Sequence, residues 1–402
     1  MIPFRFHNPV NVVFGRGAAA NVGQEAVQYG RKALLVYGQA SLKQSGLYDR
    51  LVLSLQQAGV AVVPFGNVQA NPLLSHARQG IALAKAEGCD LVVAAGGGSV
   101  LDTAKGIAGG AGCDIDPWDV LSKGTPFTTA LPLVTVLTVP AAGSEMNCGF
   151  VLTDDVASGI KGGGFGGSPV FPKVSILDPE TTLSVPPGYM TYACADVMSH
   201  LLEKYFTASS TWTPVQDRLI EGLVLAAMEC LAAIHADPDA LSPREAFMWN
   251  ATLAWNGLPP CGLGGSTPAH LIEHGLSAVF PRIAHGEGLA LIQPTWLRWF
   301  AMRSPARPAR FARAVFGVDV ACDTLAGVEG ARRYLDFLAR FGGPRDWSGC
   351  GVAEADLAAV ARSASQLAQV WGMADAYPEP LILEILKMAL SANLKPAPVD
   401  AS

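Results

Sequence analysis

The stretch Asp90-Leu-Val-Val-Ala-Ala-Gly-Gly-Gly-Ser-Val-Leu-Asp-Thr-Ala-Lys105 indicates how the first half of the chain folds. Its first six residues, Asp90 followed by five apolar residues, are typical of a strand buried in a parallel sheet. Three glycines follow directly, and a helical pattern begins after them. Ser99 and Asp102 have the spacing of a capping box, so we expect them to open that helix. A strand, a glycine turn and a helix in succession are typical of doubly wound α/β domains.

The sequence on either side repeats this strand–helix alternation. Short apolar runs predict strands at Asn11–Gly15, Lys32–Gly38, Val60–Phe65, Leu133–Pro140 and Val174–Pro179. Helical patterns between them predict helices at Ala18–Tyr29, Tyr48–Ala58 and His76–Glu87. The glycine-rich piece Gly159–Ser168 is expected to be a loop or a hairpin, with a plain flexible connection as the simpler interpretation.

The segment Val185-Pro-Pro-Gly188 marks the predicted domain boundary. Beyond it the alternation gives way to long segments rich in alanine and leucine, which favour helices. These segments are Tyr192–Phe206, Val215–His235, Pro243–Trp255, Leu357–Ala368 and Pro380–Ala392. We therefore predict a doubly wound α/β nucleotide-binding domain over residues 1–187 and an all-α domain over residues 188–402.

Composition and charge limit the function classes. Of the 402 residues, 50% are hydrophobic and 15% are charged, which suits a globular enzyme or an oligomer with covered surface. The net charge of -6 comes without a basic run, so nucleic-acid binding is not expected. The N-terminus lacks the features of a signal peptide, and no apolar run has membrane-spanning length. Eight scattered cysteines without a CxxC pair are typical of a reducing cytoplasm.

The glycine turn is a candidate phosphate site. Gly96, Gly97 and Gly98 leave backbone amides exposed where a helix begins, and a helix N-terminus presented in this way favours a phosphate or pyrophosphate. The alternative is a tight strand–helix turn with no ligand, and on this motif alone the two interpretations have about equal weight. The usual GxGxxG dinucleotide pattern is absent.

Histidines in helical pairs predict a metal site in the second half. Asp196 and His200 are four residues apart, as are His270 and His274, so each pair shares one helix face. His285 follows a short break at Pro281 and can return toward them. Taken singly each histidine is more simply a structural residue, but one carboxylate with several imidazoles is a ligand set for Zn²⁺ or Fe²⁺.

Several strings in order resemble the iron-containing (group III) alcohol dehydrogenases, in particular their NADPH-dependent butanol and aldehyde dehydrogenase branch. The resemblance begins at Asn8 and extends to about residue 300, and it is carried by Gly96–Lys105, Thr138–Asn147, Asp196–His200 and His270–His274 with His285-Gly286. It implies the architecture that this family shares with dehydroquinate synthase, with a nucleotide-binding α/β domain and a helical metal-binding domain. It also implies a nicotinamide cofactor and one divalent metal, Fe²⁺ or Zn²⁺.

The resemblance assigns roles residue by residue. The implied metal ligands are Asp196, His200, His270 and His285, and the implied catalytic residue is His274, facing the substrate pocket. The cofactor-binding residues expected are Gly38, Gln39, Ser41, Asn71, Gly97, Gly98, Ser99, Asp102, Thr138 and Lys161. Compared with the family pattern, one extra residue lies between His270 and His285, near Pro281.

Gln39 predicts a preference for NADP(H) over NAD(H). It stands after the strand Lys32–Gly38, where relatives that use NAD carry an aspartate. A carboxylate there accepts the ribose hydroxyls and repels a 2′-phosphate. Gln39 removes that repulsion, and Ser41 and Lys43 could donate to the phosphate; the alternative is that these two residues only cap the next helix.

The predicted function is a metal-dependent oxidoreductase that interconverts primary alcohols and aldehydes, acting as an aldehyde reductase. We expect a cytoplasmic homodimer with a small-molecule substrate and neither a nucleic-acid nor a membrane partner. Three alternatives stay open: a cyclising lyase of the dehydroquinate synthase type, a related dehydrogenase acting on a polyol or hydroxy acid, and a non-catalytic nucleotide-binding protein. The lyase needs a phosphate-holding basic cluster, and only Lys204 and Arg282 stand near the metal motifs.

Overall fold

The computed structural model describes residues 1–390, which form two compact units. One unit comprises Phe4–Ala193 and Glu229–Pro259, and the other comprises Met1–Pro3, Cys194–Met228 and the residues from Pro260 onward. This division differs from the predicted boundary at residues 187 and 188. The helix Pro187–Phe206 runs through that boundary without a break, and the later segment Glu229–Pro259 returns to the α/β unit.

The α/β unit contains eight strands. They are β1 (Asn11–Phe14), β2 (Lys32–Tyr37), β3 (Ala61–Phe65), β4 (Leu91–Gly97), β5 (Leu133–Val139), β6 (Gly149–Thr153), β7 (Lys161–Phe165) and β8 (Val174–Leu177). Six of them form a parallel sheet in the order β1-β8-β5-β4-β2-β3, and β6 pairs with β7 as an antiparallel hairpin. The helices that alternate with the strands are α1 (Val22–Ala26), α2 (Ser41–Gln44), α3 (Leu47–Gln57), α4 (Leu74–Glu87), α5 (Gly98–Gly112) and α6 (Pro117–Lys123).

The central strands are largely apolar because both faces of the sheet are covered. In β2, Leu34 and Val36 belong to one hydrophobic core, while Ala33 and Leu35 belong to the core on the opposite face. All four side chains are fully buried. Successive side chains of a strand point to opposite faces of the sheet. Because both faces are buried here, apolar residues are needed at successive positions. The predicted doubly wound α/β fold is confirmed for this unit.

The predicted capping box at Ser99 and Asp102 is wrong. Helix α5 begins at Gly98, and Gly97, in extended conformation, is its N-cap without a side-chain hydrogen bond. Ser99 Oγ donates to the carbonyl oxygen of Ala70, and the Asp102 carboxylate accepts hydrogen bonds at 2.6 and 3.0 Å from other parts of the unit. Ser99 and Asp102 therefore make tertiary hydrogen bonds instead of capping the helix as their spacing predicts.

The glycine-rich piece is a hairpin strand, so the simpler interpretation as a flexible connection is wrong. Its residues Lys161–Phe165 form β7, paired in register with β6. Helix α6 packs on this strand so closely that a Cβ on Gly162 would lie 3.0 Å from the Trp118 ring and one on Gly164 would lie 3.4 Å from Leu121. The glycines therefore make room for a neighbouring helix rather than for flexibility.

The second half of the described chain is helical, as predicted. Its helices are α7 (Pro187–Phe206), α8 (Pro214–Ala236), α9 (Leu241–Ala254), α10 (Pro268–Val279), α11 (His285–Ala301), α12 (Ala306–Phe316), α13 (Asp323–Arg340), α14 (Leu357–Val370) and α15 (Glu379–Leu390). The predicted helix Pro380–Ala392 corresponds to α15, and its last two residues lie outside the described range.

Helix α8 is, among residues 1–390, the one helix long and apolar enough to cross a membrane by length and composition. A single helix of this kind is weak evidence for a membrane span, since core helices of globular proteins pass the same test. Val224, Ala227, Leu231 and Ile234 are fully buried and recur at helical spacing on one side of α8. That one-sided burial is typical of a helix packed on a protein core.

Helices α10 and α14 pack at a distance that only glycine allows. A Cβ on Gly275 would lie 2.7 Å from the backbone nitrogen of Ala364 and 2.8 Å from the carbonyl oxygen of Val360. Backbone atoms cannot move aside as a flexible side chain can, so we expect Gly275→Val to lower the free energy of unfolding by about 3 kcal/mol. Urea denaturation measures this change.

The matched control is Gly222→Ala. Gly222 lies on α8 with open space around its Cβ position, so alanine there should raise stability slightly through its higher helix propensity. If the valine variant at Gly275 unfolds at the same urea concentration as wild type, the close approach of α10 and α14 is not as described.

Candidate metal centre and nucleotide-binding residues

Helix α7 presents acidic and imidazole groups on one face. Asp196, His200 and Glu203 are spaced at i, i+4 and i+7, which brings their side chains to the same side of the helix. All three are buried, and Glu203 is completely so. Nδ1 of His200 lies 3.4 Å from Oδ1 of Asp196. The first predicted pair is therefore in contact inside the helical unit.

Helix α10 is joined to α7 through Glu203. Pro268 occupies its first turn, and the Glu203 carboxylate accepts the backbone N–H groups of Ala269 at 2.6 Å and His270 at 3.2 Å. The first N–H groups of a helix have no partner within the helix, and its N-terminus carries partial positive charge. The Glu203 carboxylate accepts hydrogen bonds from these N–H groups and places a negative charge at the positive end of α10. These contacts fix the position of His270 in the first turn of the helix.

Three predicted ligands converge on one point. Nε2 of His270 lies 3.5 Å and Nε2 of His285 lies 3.7 Å from Oδ1 of Asp196, and one donor atom from each of the three residues lies within 4.8 Å of the others. His200 adjoins this group, with its ring centroid 4.5 Å from that of His270. His285 is the first residue of α11, so the extra residue near Pro281 is accommodated in the turn between α10 and α11.

The donor set fits a divalent transition metal. Oδ1 of Asp196 and Nε2 of His270 are buried and make no hydrogen bond, although an unsatisfied buried polar atom is costly. A cation at the point where they converge satisfies both atoms at once. One carboxylate with imidazoles suits Zn²⁺ or Fe²⁺, and these ligand types do not distinguish the two metals.

The charges in this cluster shift the pKa values of its members in opposite directions. Burial lowers the pKa of His270, but the carboxylates of Glu203 and Asp196 outweigh it and raise that pKa to about 10. Burial dominates at His200 and lowers its pKa to about 3. Burial raises the pKa of Asp196, but its interactions with His200, His285 and His270 outweigh burial and hold that pKa below its usual range. The cluster is therefore an environment in which a carboxylate stays ionised.

His274, the predicted catalytic residue, lies beside the predicted ligands. Its ring centroid is 5.5 Å from that of His285 and 6.4 Å from that of His270. On another side it meets the half-buried Trp371, at 5.2 Å between ring centroids. His274 itself is buried, so it faces a confined, partly aromatic environment rather than bulk solvent.

Most predicted cofactor-binding residues meet at one edge of the parallel sheet. Strands β2, β4 and β5 are neighbours, and their carboxyl ends bring together residues from the three connections that follow. Among these residues are Gly38, Gln39 and Ser41 after β2, Gly97, Gly98 and Ser99 at the junction of β4 and α5, and Thr138 near the end of β5. Asn71 is buried and follows Ala70, whose carbonyl oxygen accepts from Ser99.

The remaining two predicted cofactor residues lie on other parts of the α/β unit. Lys161 is the buried first residue of β7 in the hairpin, and Asp102 lies on α5. The Asp102 carboxylate accepts from the backbone N–H of Val151 in β6 and from Ser144 Oγ in the segment after β5. The glycine turn also has a packing role, since a Cβ on Gly98 would lie 2.8 Å from that of Ala142.

Sequence reasoning overlooked three buried charged residues. Glu203 contacts Nδ1 of His270, and Glu273 contacts Nδ1 of His285. Both glutamates could have been found by extending the helical spacing, since Glu203 is three residues from His200 and Glu273 three from His270. The third residue is Lys105 on α5, which is fully buried although lysine rarely is.

Lys105 ties α5 to the segment that follows β5. Its Nζ donates to Ser144 Oγ at 2.8 Å, Asn147 Oδ1 at 3.1 Å and the carbonyl oxygen of Gly149 at 2.6 Å. Ser144 Oγ in turn donates to Asp102 at 2.6 Å, so a buried cation and a buried carboxylate share one network. Burial lowers the pKa of Lys105 to about 8, against the opposing charge of Asp102.

We expect Lys105→Met to destabilise the α/β unit by about 3 kcal/mol. The substitution leaves the acceptors on Asn147 and Gly149 without their donor and removes the cation near Asp102, and breaking a buried charge network by removing one partner has a cost of this size. Urea denaturation followed by circular dichroism measures it. A loss below about 1 kcal/mol would mean that the network contributes little.

The difference between wild type and Lys105→Met should widen with pH. The pKa of Lys105 is lowered on folding from 10.5 to about 8, so between these values the unfolded chain binds more protons at this residue. The wild-type contribution to stability therefore rises with pH in this window, by about 1 kcal/mol per pH unit. Unfolding both proteins at pH 8 and pH 9 tests the sign, and a difference that narrows would contradict it.

Two family models match this chain, one in each half. The model of the iron-containing alcohol dehydrogenase domain matches residues 9–179, and the model of the C-terminal domain of the Fe-containing alcohol dehydrogenase family matches residues 190–390. The chain is 37% identical to "Probable NADH-dependent butanol dehydrogenase 1" of Bacillus subtilis over 96% of this chain and 99% of that protein.

Two further relatives agree with these matches. The chain is 31% identical to the NADPH-dependent aldehyde reductase YqhD of Escherichia coli, over 80% of this chain and 82% of that protein. The crystal structure of NADH-dependent butanol dehydrogenase A from Thermotoga maritima matches with a TM-score of 0.91 and 34% identity, over 96% of this chain and 98% of that one. The predicted resemblance is confirmed, and the chain belongs to the iron-containing alcohol dehydrogenase family.

Proposed function

We propose that this protein is an NADP(H)-dependent aldehyde reductase that holds one divalent metal, Fe²⁺ or Zn²⁺. The observation that carries the proposal is the convergence of Asp196, His270 and His285, with donor atoms within 4.8 Å, in a chain of the alcohol dehydrogenase family. His200 is the proposed fourth ligand, since its ring adjoins the same carboxylate. The similarity to proteins named butanol dehydrogenase and aldehyde reductase supports an alcohol or aldehyde substrate.

In this proposal the residues of the chain bind the metal, orient the substrate and transfer the proton. Asp196 and the three imidazoles hold the metal. When bound, such a metal supplies Lewis-acid polarisation of a carbonyl oxygen, and a nicotinamide supplies the hydride. His274 delivers the proton to the resulting alkoxide oxygen in reduction and removes it in oxidation. Its burial next to Trp371 limits the water that can compete for that proton.

The aromatic neighbour of His274 supports a preference for apolar aldehydes. Trp371 is half-buried and packs edge-on against the His274 ring. A large apolar surface beside the proton-transferring residue favours an alkyl chain over a polyol or a charged hydroxy acid, which would lose hydration there without a polar partner. We therefore propose short-chain aliphatic aldehydes such as butanal as the substrate class.

We propose NADP(H) as the preferred cofactor because of Gln39. Gln39 and Ser41 are exposed where β2 ends and α2 begins, so both can meet a ribose at the sheet edge. Nζ of Lys43 sits 5.3 Å from the Tyr37 ring and 5.1 Å from the Tyr48 ring, which places a cation close by. A neutral side chain with a nearby cation accepts a 2′-phosphate that an aspartate would repel.

The test of this function is an absorbance assay at 340 nm. Protein purified without oxygen and loaded with Fe²⁺ or Zn²⁺ is mixed with butanal and either NADPH or NADH. We expect oxidation of NADPH with stoichiometric formation of butanol, and a higher kcat/KM with NADPH than with NADH. No turnover across a panel of aldehydes and polyols with either metal would overturn the assignment, and a net reaction that leaves the cofactor unchanged would favour a cyclising lyase.

We further propose a homodimer in the reducing cytoplasm. Strand β1 is an edge of the sheet with β8 as its neighbour, and the exposed Phe14 meets Trp249 there, with 6.3 Å between ring centroids. An edge strand with exposed aromatic residues supports association with a second copy. All eight cysteines are free, which supports a reducing compartment. Light scattering after size-exclusion chromatography measures the mass, and a monomer would contradict the dimer.

A further inference from the structure

The two proposed ligand histidines of α10 and α11 share one arrangement of their ring nitrogens. Each turns Nε2 toward Oδ1 of Asp196 and turns Nδ1 toward a glutamate. Glu203 contacts Nδ1 of His270, and Glu273 contacts Nδ1 of His285. His200 differs, because its Nδ1 itself faces Asp196.

Both glutamates are completely buried, which makes their presence informative. A buried carboxylate has a desolvation penalty of several kcal/mol unless charged or hydrogen-bonding partners compensate it. The partners here are the ligand histidines together with the α10 backbone for Glu203 and with Ser277 Oγ for Glu273. An apolar residue at position 273 would avoid that penalty, so fold stability alone does not explain Glu273, whereas Glu203 also satisfies the first N–H groups of α10.

The contacts determine which tautomer each histidine adopts. A carboxylate only accepts hydrogen bonds, so the Nδ1 atom that faces it carries the proton. The lone pair of the neutral ring is then on Nε2, the atom directed at Asp196. The carboxylate also makes the ring a stronger donor to a metal and fixes its rotation.

We propose that Glu203 and Glu273 are positioning residues that hold His270 and His285 in the metal-binding tautomer and orientation. The inference rests on the proposed metal site. It predicts that either glutamate contributes to metal affinity only through its own histidine. Glu273 gives the cleaner test, because Glu203 also receives the first backbone N–H groups of α10.

The experiment measures metal affinity without using activity. Metal-free wild-type protein, Glu273→Gln and Ser277→Ala are titrated with Zn²⁺ against a chromophoric chelator, and Co²⁺ binding is followed through its visible absorption bands. We expect Glu273→Gln to weaken metal binding by 10- to 100-fold and to alter the Co²⁺ bands. Ser277→Ala is the matched control: it removes a hydrogen bond to Glu273 but leaves the contact with His285, so affinity should change less than about threefold.

A double-mutant cycle separates positioning from a general loss of structure. If Glu273 acts through His285, Glu273→Gln should have no further effect on Zn²⁺ affinity in a His285→Ala background, where the three remaining ligands still bind weakly. A further tenfold loss in that background, or wild-type affinity in Glu273→Gln alone, would overturn the positioning role while leaving the metal site intact. Failure of wild-type protein to bind either metal would overturn the proposed metal site as well, so the two failures are distinguishable.

Discussion

His270→Ala is expected to lose bound metal and aldehyde reductase activity together. The substitution removes the Nε2 atom of residue 270, which lies 3.5 Å from Oδ1 of Asp196. The proposed metal then has no ligand from this position of α10. Lewis-acid stabilisation by a metal contributes several kcal/mol to such a reaction, so kcat/KM should fall by about 10³-fold or more. Metal content by mass spectrometry and butanal reduction with NADPH are measured on the same preparation.

The control for His270→Ala is His7→Ala. His7 is exposed and lies outside the metal cluster, so the same change of residue type should leave both metal content and rate as in wild type. The fold of His270→Ala should persist, because Glu203 still receives the backbone N–H of residue 270 and of Ala269. Wild-type activity in a metal-free sample of His270→Ala would contradict the assigned centre.

The parallel strands could be predicted because the apolar pattern that their burial requires lies within each strand's own segment of sequence. A strand buried on both faces needs an uninterrupted apolar run, and Ala33–Tyr37 in β2 and Leu91–Ala95 in β4 are such runs. For the glycine-rich piece the sequence left a loop, a hairpin or a flexible connection open, because glycines carry no apolar signal that would favour the strand Lys161–Phe165. Its reason is the approach of Trp118 from α6, which is a contact between segments far apart in sequence.

The capping box failed for the same physical reason. The spacing of Ser99 and Asp102 fits a capping box. The Asp102 carboxylate instead accepts hydrogen bonds from Ser144 Oγ and from the backbone N–H of Val151. A side chain goes to the partner that stabilises the whole fold, and local propensity is only one contribution. The Pro-rich punctuation at residues 186 and 187 opens helix α7, and the compact units divide between Ala193 and Cys194 instead.

The candidate metal cluster could be predicted because the spacing of residues along a helix face can be recognised in the sequence. Asp196 and His200, or His270 and His274, lie one turn apart, and the resemblance joined the two helices into one site. Glu203 and Glu273 share that helical spacing, but spacing alone does not show that they are buried, since a glutamate in a helix is ordinarily solvated. The structure places both inside, each against the Nδ1 atom of a proposed ligand histidine.

Gln39→Asp is expected to reverse the cofactor preference. Relatives of this chain are named for both cofactors, since the Bacillus protein is NADH-dependent and the Escherichia coli protein NADPH-dependent by name, so family membership does not decide the question. The deciding chemistry is local. The exposed Gln39 follows Gly38 directly after β2, where we expect relatives that use NAD to carry an aspartate for the ribose hydroxyls.

A carboxylate at residue 39 would face the doubly charged 2′-phosphate of NADPH. Placing like charges together at a binding site costs several kcal/mol, so the ratio of kcat/KM for NADPH to that for NADH should fall by about 10²- to 10³-fold. The matched control is Gln44→Asp, which adds the same charge at the exposed end of α2 and should change the ratio by less than about threefold. A wild-type enzyme that prefers NADH, or an unchanged ratio in Gln39→Asp, would contradict the role of Gln39. If instead both aspartate variants shifted the ratio equally, net charge at this edge of the sheet would select the cofactor, and residue 39 would have no special position.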